Sequence, residues 1–332
     1  MGDLTAEDRP HASCCERRPH AGALPPAIPG FSMTSSPPTP NFTPGPTPNG
    51  HLAPRPASLF AARARRLREL AADAALADWL RFVAHLADAQ ADVQRLLDED
   101  IRAAGCLDAA GHLDLVRLPA LPLWQRAAVL LAERIAAVDS PAAAKAARAL
   151  LALDDGTREA LALRVLGGET RAEDLHGAPL ACAALELLAT GAAALARPQI
   201  HTGIGKSCPV CDGPALVATL ETSATSGLRY LHCAHCNTAW HHVRAQCTHC
   251  HDARGVSYQS LEKAEEIPLW RAETCDACHA YLKLFDRTKV RELDPVADDL
   301  ASLELDLALG EAGYRRTGAN AYLLLLGEHA GA

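Results

Sequence analysis

Aromatic residues make up only 4% of this 332-residue chain: five Phe, five Tyr and four Trp. That scarcity rules out an aromatic-built core. The apolar residues, 49% of the total, are mostly Ala and Leu, a composition that favours helix over strand. An excess of positive charge is also missing. With 32 Lys and Arg against 40 Asp and Glu, the net charge is −8, which argues against a general polyanion binder. There is no nucleophile elbow, phosphate loop or H-E-x-x-H motif, so nothing marks a hydrolase. Export signals are weak too. Arg17-Arg18 is followed by "PHAGALPPAIPGF", whose prolines interrupt any apolar signal region. The most apolar run, 178–196, is Ala-rich and carries Pro179, Glu186 and Gly191. It reads as a buried core helix, so membrane insertion is not expected.

Cysteine, by contrast, is abundant. The twelve lie at 14, 15, 106, 182, 208, 211, 233, 236, 247, 250, 275 and 278. Without a secretory signal the thiols should be reduced rather than paired as cystines. Cys106 and Cys182 sit among apolar residues and read as small buried fillers; Cys14 and Cys15 lie in a tail. The remaining eight form four C-x-x-C pairs. A single pair is open to a dithiol redox role. Four evenly arranged pairs point to metal, because a C-x-x-C turn lets two thiolates hold one ion and two such turns complete a tetrahedral shell.

The spacings are C-x₂-C-x₂₁-C-x₂-C for Cys208, Cys211, Cys233 and Cys236, and C-x₂-C-x₂₄-C-x₂-C for Cys247, Cys250, Cys275 and Cys278. Outer-with-outer and cross-braced pairings are also possible. Consecutive pairing is favoured because each half then repeats knuckle, strands, knuckle. Gly213, Asn237 and Gly255 are available where the knuckles turn. A structural four-thiolate zinc site is worth about 10–16 kcal/mol of apparent binding, so metal should decide whether these aromatic-poor ribbons fold. Sulfur ligation suits zinc, a single iron or an iron–sulfur cluster alike. Cysteine already fills all eight places, so His232, His235, His241, His242, His249, His251 and His279 read as outer or surface groups. A saturated shell leaves no position for substrate or water. Residues 201–292 balance 10 basic against 10 acidic groups, and bound thiolates add negative charge, so nucleic acid is not the expected partner.

Along the chain, residues 1–56 hold 13 of the 22 prolines and read as a disordered extension. Met33 is the only methionine besides Met1 and offers an alternative start. Residues 57–198 read as an all-helical domain of five to seven helices. Leu76, Leu80, Val83, Leu86, Val93 and Leu97 share one face, and Ser140-Pro141 opens a further helix. Short strands are expected at 215–221, 228–232, 239–245, 255–261, 269–273 and 280–285, giving a first metal module at 199–245 and a second at 246–292. Residues 293–332 return to helix. The acidic stripe Asp298, Asp299, Glu304, Asp306 reads most simply as a solvated helix face.

The order of helical domain, "CPVC", "GLRYLHCAHCNTAWHHVRAQCTHC", "AETCDACHAYLKLFD" and "DPVADDLASLELDLAL" resembles the formate dehydrogenase accessory protein FdhE family over residues 56–326. The proline-rich extension and the "GANAYLLLL" tail depart from its pattern. The resemblance implies an all-helical N-terminal domain, two tandem rubredoxin-like or zinc-ribbon modules and a C-terminal helix. It also implies a cytoplasmic, non-catalytic maturation factor that acts on the catalytic subunit of respiratory formate dehydrogenase. Carried onto the four knuckles of this chain, it implies two four-cysteine metal sites, with iron favoured over zinc. The rival readings are a rubredoxin-like electron carrier and a zinc-ribbon nucleic-acid adaptor.

Overall fold

The computed structural model describes residues 50–72, 76–198, 205–222, 227–261 and 269–324, and the backbone of a strand at Met33–Ser36. Six helices come first: α1 (Pro56–Leu70), α2 (Ala77–Ala103), α3 (Pro122–Ala136), α4 (Pro141–Leu151), α5 (Asp155–Gly167) and α6 (Ala178–Leu195). Four of them open on a proline in the first two positions, where the missing N–H costs nothing. Ser140 and Asp154 cap α4 and α5 by accepting from Ala143 N and Thr157 N. Gly168, at φ +69°, ends α5 in the left-handed conformation.

Helix α6 is the axis of this layer. It is long and apolar enough to cross a membrane, yet 89% of it is buried inside the fold, so it is the core helix that its composition suggests. Its small residues allow close packing. A Cβ on Gly191 would lie 3.0 Å from Ile101 Cγ2 on α2. Leu80, Val83, Leu86, Val93 and Leu97 of α2 are all buried, as their helical spacing implies.

Nine strands form one sheet among the described residues: β1 (Met33–Ser36), β2 (His51–Leu52), β3 (Ala215–Glu221), β4 (Leu228–Cys233), β5 (Ala239–His241), β6 (Val256–Leu261), β7 (Trp270–Cys275), β8 (Ala280–Asp286) and β9 (Arg315–Arg316). The order is β1-β6-β7-β8-β3-β4-β5-β2, with β9 on β8. The two expected ribbons are the antiparallel sets β3-β4-β5 and β6-β7-β8. They follow one another along the chain and share one sheet. Parallel pairing of β3 with β8, Ala218 opposite Leu284, fuses them. Both strands are buried almost throughout, as near-continuous apolar runs demand.

Two short strands fall within the proline-rich span read as disordered. β1 pairs with β6, and β2 pairs with β5. Neither contains proline, so the N–H groups are free to bond to a sheet edge without any apolar core. The rest of residues 1–49 lies outside the described residues.

The C-terminal segment corrects the acidic-stripe reading. The expected single helix breaks at Ser302 into α7 (Ala297–Ala301) and α8 (Leu303–Glu311), and a short α9 (Ala321–Leu324) follows. Asp298 and Asp299 are fully buried, and of the four only Glu304 is exposed. Leu307 is 59% exposed, whereas Leu305 and Leu309 are buried. The reason is Lys283 on β8, which is itself buried. Its ammonium meets Asp299 Oδ1 at 3.1 Å and Asp306 Oδ2 at 2.5 Å, and it donates to Ser302 Oγ at 2.9 Å. A buried cation outranks apolar periodicity in deciding which face turns inward.

Candidate metal centres

The eight sulfurs gather into two quartets, Cys208/Cys211/Cys233/Cys236 and Cys247/Cys250/Cys275/Cys278, with each set within 4.8 Å. This is the grouping by consecutive knuckles. In the first quartet the sulfur–sulfur distances include 3.4 Å for Cys211–Cys233 and 3.5 Å for both Cys208–Cys236 and Cys211–Cys236. In the second, Cys247–Cys278 and Cys250–Cys275 are 3.7 Å apart. A disulfide needs about 2.05 Å. A tetrahedron of sulfurs about 2.3 Å from one ion has edges of about 3.8 Å, so the donor set fits a four-thiolate centre. Among the described residues no histidine joins either quartet.

Each knuckle is made locally. The residue after the second cysteine takes a left-handed conformation in all four: Asp212 at φ 55°, Asn237 at 57°, His251 at 63° and His279 at 55°. In three of them that reversal aims its N–H back at the first cysteine's carbonyl: Asp212 N to Cys208 O at 2.9 Å, His251 N to Cys247 O at 3.0 Å and His279 N to Cys275 O at 2.8 Å. Of the expected turn residues only Asn237 is among the four left-handed positions. Gly213 and Gly255 instead make room. A Cβ on Gly213 would lie 2.8 Å from His235 Cδ2 and 3.1 Å from Cys233 Sγ, and one on Gly255 would lie 3.3 Å from Ala277 N. Backbone amides also point at sulfur: Val210 N to Cys208 Sγ at 3.4 Å, His235 N to Cys233 Sγ at 3.4 Å, and His249 N to Cys247 Sγ at 3.4 Å.

Titration behaviour follows from crowding four thiols together. Burial alone raises the Cys236 thiol, but hydrogen bonds from Cys208, Cys211 and Cys233 overcome it and hold Cys236 well below the usual range. Its neighbour Cys233 is driven well above, first by burial. Thiols crowded together in this way make a site in which a cation can replace protons.

The histidines divide between core and surface. His232 is buried and shares a 2.9 Å contact with Thr219 Oγ1; burial, then Arg287, pushes its pKa down to about 3. His242 is fully buried beside Arg229, and burial lowers it to about 4. His249 and His279 are exposed.

Sequence reasoning missed the connection between the first quartet and the helices. Arg63 of α1, fully buried, pairs with Glu186 in the middle of α6 and donates to Asp294 Oδ1 at 3.1 Å and Asn237 Oδ1 at 2.8 Å. Asn237 donates to Glu186 Oε1 and Thr190 Oγ1, both at 2.9 Å. Gln90 and Tyr322 satisfy the other Glu186 oxygen at 3.1 and 2.9 Å. Burial alone raises Glu186, but Arg63 and Asn237 outweigh it and hold the carboxyl below its ordinary value. One signal was present in the sequence: a glutamate inside an otherwise apolar helix must be paired.

A helical layer joined by a buried polar network to a sheet bearing two four-cysteine sets defines a two-layer protein with two potential metal centres. Three consecutive family models cover it: "FdhE, N-terminal" over residues 48–203, "FdhE, central domain" over 207–244 and "FdhE, C-terminal domain" over 245–323. "Protein FdhE homolog" of Pectobacterium carotovorum subsp. carotovorum is 33% identical over 287 residues, covering 83% of this chain and 92% of the relative. "Protein FdhE" of Escherichia coli K12 is 34% identical over 281 residues, covering 82% and 90%. The crystal structure of the FdhE protein from Pseudomonas aeruginosa superposes with a TM-score of 0.68 at 30% identity, covering 82% of this chain and 98% of that one. The chain belongs to the FdhE family, as the resemblance of its knuckle segments implies.

Proposed function

We propose that this chain is a cytoplasmic, non-catalytic accessory factor that binds the catalytic subunit of a formate dehydrogenase and is needed for its maturation. The observation that carries the reading is the pair of closed sulfur quartets, one of them tied through Asn237 to the helical layer by Arg63 and Glu186. Such a site shapes a surface and does not open a coordination position to substrate. Cys208, Cys211, Cys233 and Cys236 would hold one ion, and Cys247, Cys250, Cys275 and Cys278 the other. Family resemblance favours iron in rubredoxin-like coordination over zinc. Each ion would supply folding energy to its ribbon and, if it is iron, one-electron chemistry.

The test is capture of a tagged full-length chain with co-expressed formate dehydrogenase catalytic subunit, together with deletion of the gene. Stable capture and loss of formate oxidation on deletion are expected. Absence of both removes the proposal. A second reading, a one-electron carrier, draws on Cys250, whose exposure brings the second quartet to the surface. It predicts a visible spectrum that bleaches reversibly with dithionite, and a colourless two-zinc protein excludes it.

A further inference from the structure

The two quartets share a ligand set but not an environment. In the first, all four cysteines are buried, between 0% and 6% exposed, and all four belong to the main apolar core. In the second, Cys247 and Cys275 are buried, Cys278 is half-buried and Cys250 is exposed. Its apolar surroundings are a separate small cluster of Cys247, Val256 and Cys275 with Cys278 against it.

The knuckles are anchored differently as well. Those of the first quartet are held from the helical layer. Val210 O accepts Leu113 N at 2.7 Å, His112 Nε2 meets Asp212 Oδ2 at 2.9 Å, and Asn237 sits in the Arg63–Glu186 network. Opening that site means breaking the contact between helices and sheet. The third knuckle is tied by Arg229 to Thr248 Oγ1 at 2.9 Å. The fourth is tied by Tyr314 OH to Asp276 Oδ1 at 2.7 Å and by Arg315 N to His279 O at 2.7 Å, on the exposed rim of the sheet.

We infer that the second quartet is the exchangeable centre of this protein, its ion entering and leaving past Cys250, while the first is a permanent structural lock. The inference rests on the reading that both quartets hold ions. Release of an ion from four thiolates goes by stepwise ligand replacement. A sulfur leaves and an incoming donor takes its place, so a sulfur already in solvent sets the easiest route. In the second quartet that step needs only local opening, whereas in the first it needs opening of the inter-layer core. Outer-layer contacts that hold metal ligands in place carry about 10–100-fold in affinity; the Asn237 network beside the first site is buried, whereas the Tyr314–Asp276 tie beside the second is exposed.

The test uses the full-length chain loaded anaerobically with Co²⁺ and challenged with excess EDTA, following loss of thiolate-to-cobalt absorption. Two cobalt ions per chain should leave in two phases of equal amplitude, the faster by about tenfold or more. Pulsed alkylation read by mass spectrometry should label Cys247, Cys250, Cys275 and Cys278 in the fast phase and the other four in the slow one. Cys250→Ser should keep only the slow phase, and the alkylation pattern of the unsubstituted chain gives the same answer if that variant folds poorly. Two ions lost in one phase, or first-quartet thiols labelled first, overturn the inference alone. Fewer than two cobalt ions bound per folded chain overturns the two-ion reading and the inference with it.

Discussion

Arg229 on β4 and Glu273 on β7 form a buried ion pair, 1% and 7% exposed, although two strands lie between theirs in the sheet. Three strand spacings are about 14 Å in a flat sheet, so contact requires the sheet to curl. Arg229 also donates to Thr248 Oγ1 at 2.9 Å and to Val243 O at 3.1 Å. One guanidinium thus joins the ribbon of the first quartet to a knuckle of the second. Removing either partner leaves the other charge buried and alone, so Arg229→Ala or Glu273→Ala should cost about 3–5 kcal/mol in urea unfolding. The Arg229→Met/Glu273→Leu double variant should recover much of that loss. Equal losses for single and double variants would deny the pair this role.

Gly213 and Gly255 separate the two quartets by a small substitution. Gly213→Ala sets a methyl against Cys233 Sγ and His235 inside a buried site and should lower metal content by about one ion per chain. Gly255→Ala meets Ala277 N at 3.3 Å, Asp276 N at 3.5 Å and Asp252 Oδ1 at 3.7 Å, none of them a sulfur, and should retain both ions. Metal analysis of the two purified variants decides the point.

His242 gives the fold an acid-sensitive element. Burial, then Arg229, depresses its pKa to about 4 from an ordinary 6.5. Below pH 6.5 the unfolded chain takes up a proton that the folded chain refuses. Stability is therefore full above that pH and falls as pH drops toward 4. At about 1.36 kcal/mol per unit, the loss approaches roughly 2–3 kcal/mol at pH 4.5. His242→Gln should flatten the pH dependence of the unfolding midpoint across this window. An unchanged slope would show that the imidazole does not titrate in this way.

Complete metal removal should act on the sheet before the helices. The main core is mostly Leu and Ala of the helical layer around α6, whereas the second quartet has a cluster of only a few residues. Far-ultraviolet circular dichroism of the stripped protein should keep its helical signal, with protease cleavage appearing between 245 and 292. Loss of helical signal in step with metal would instead make the whole chain one metal-dependent unit.

How far the chain could be read in advance depended on the range of the interactions. The strands at 215–221 and 280–285 were legible because apolar β-formers stand between turn residues, and they are present as β3 and β8. The burial of Asp298 and Asp299 was not legible. Local pattern gives an acidic helix face, and it takes distant partners, among them the buried Lys283 beside Asp299 and the half-buried Arg66 at 2.7 Å from Asp298, to turn that face inward. The exposure of Cys250 was equally hidden, since its C-x-x-C is spaced like the other three.

By itself the sequence determined the knuckles, because a C-x-x-C turn is settled within a handful of residues and its sulfurs converge wherever the loop is placed. It also determined the helical layer, whose apolar spacing and proline starts are local. Only the tertiary structure decided that Arg63 meets Glu186, 123 positions away, that β3 pairs with β8, and which quartet faces solvent. The physical reason is that burying a charge or joining two sheet edges is favourable only when the distant partner arrives, and no stretch of neighbouring residues encodes that arrival.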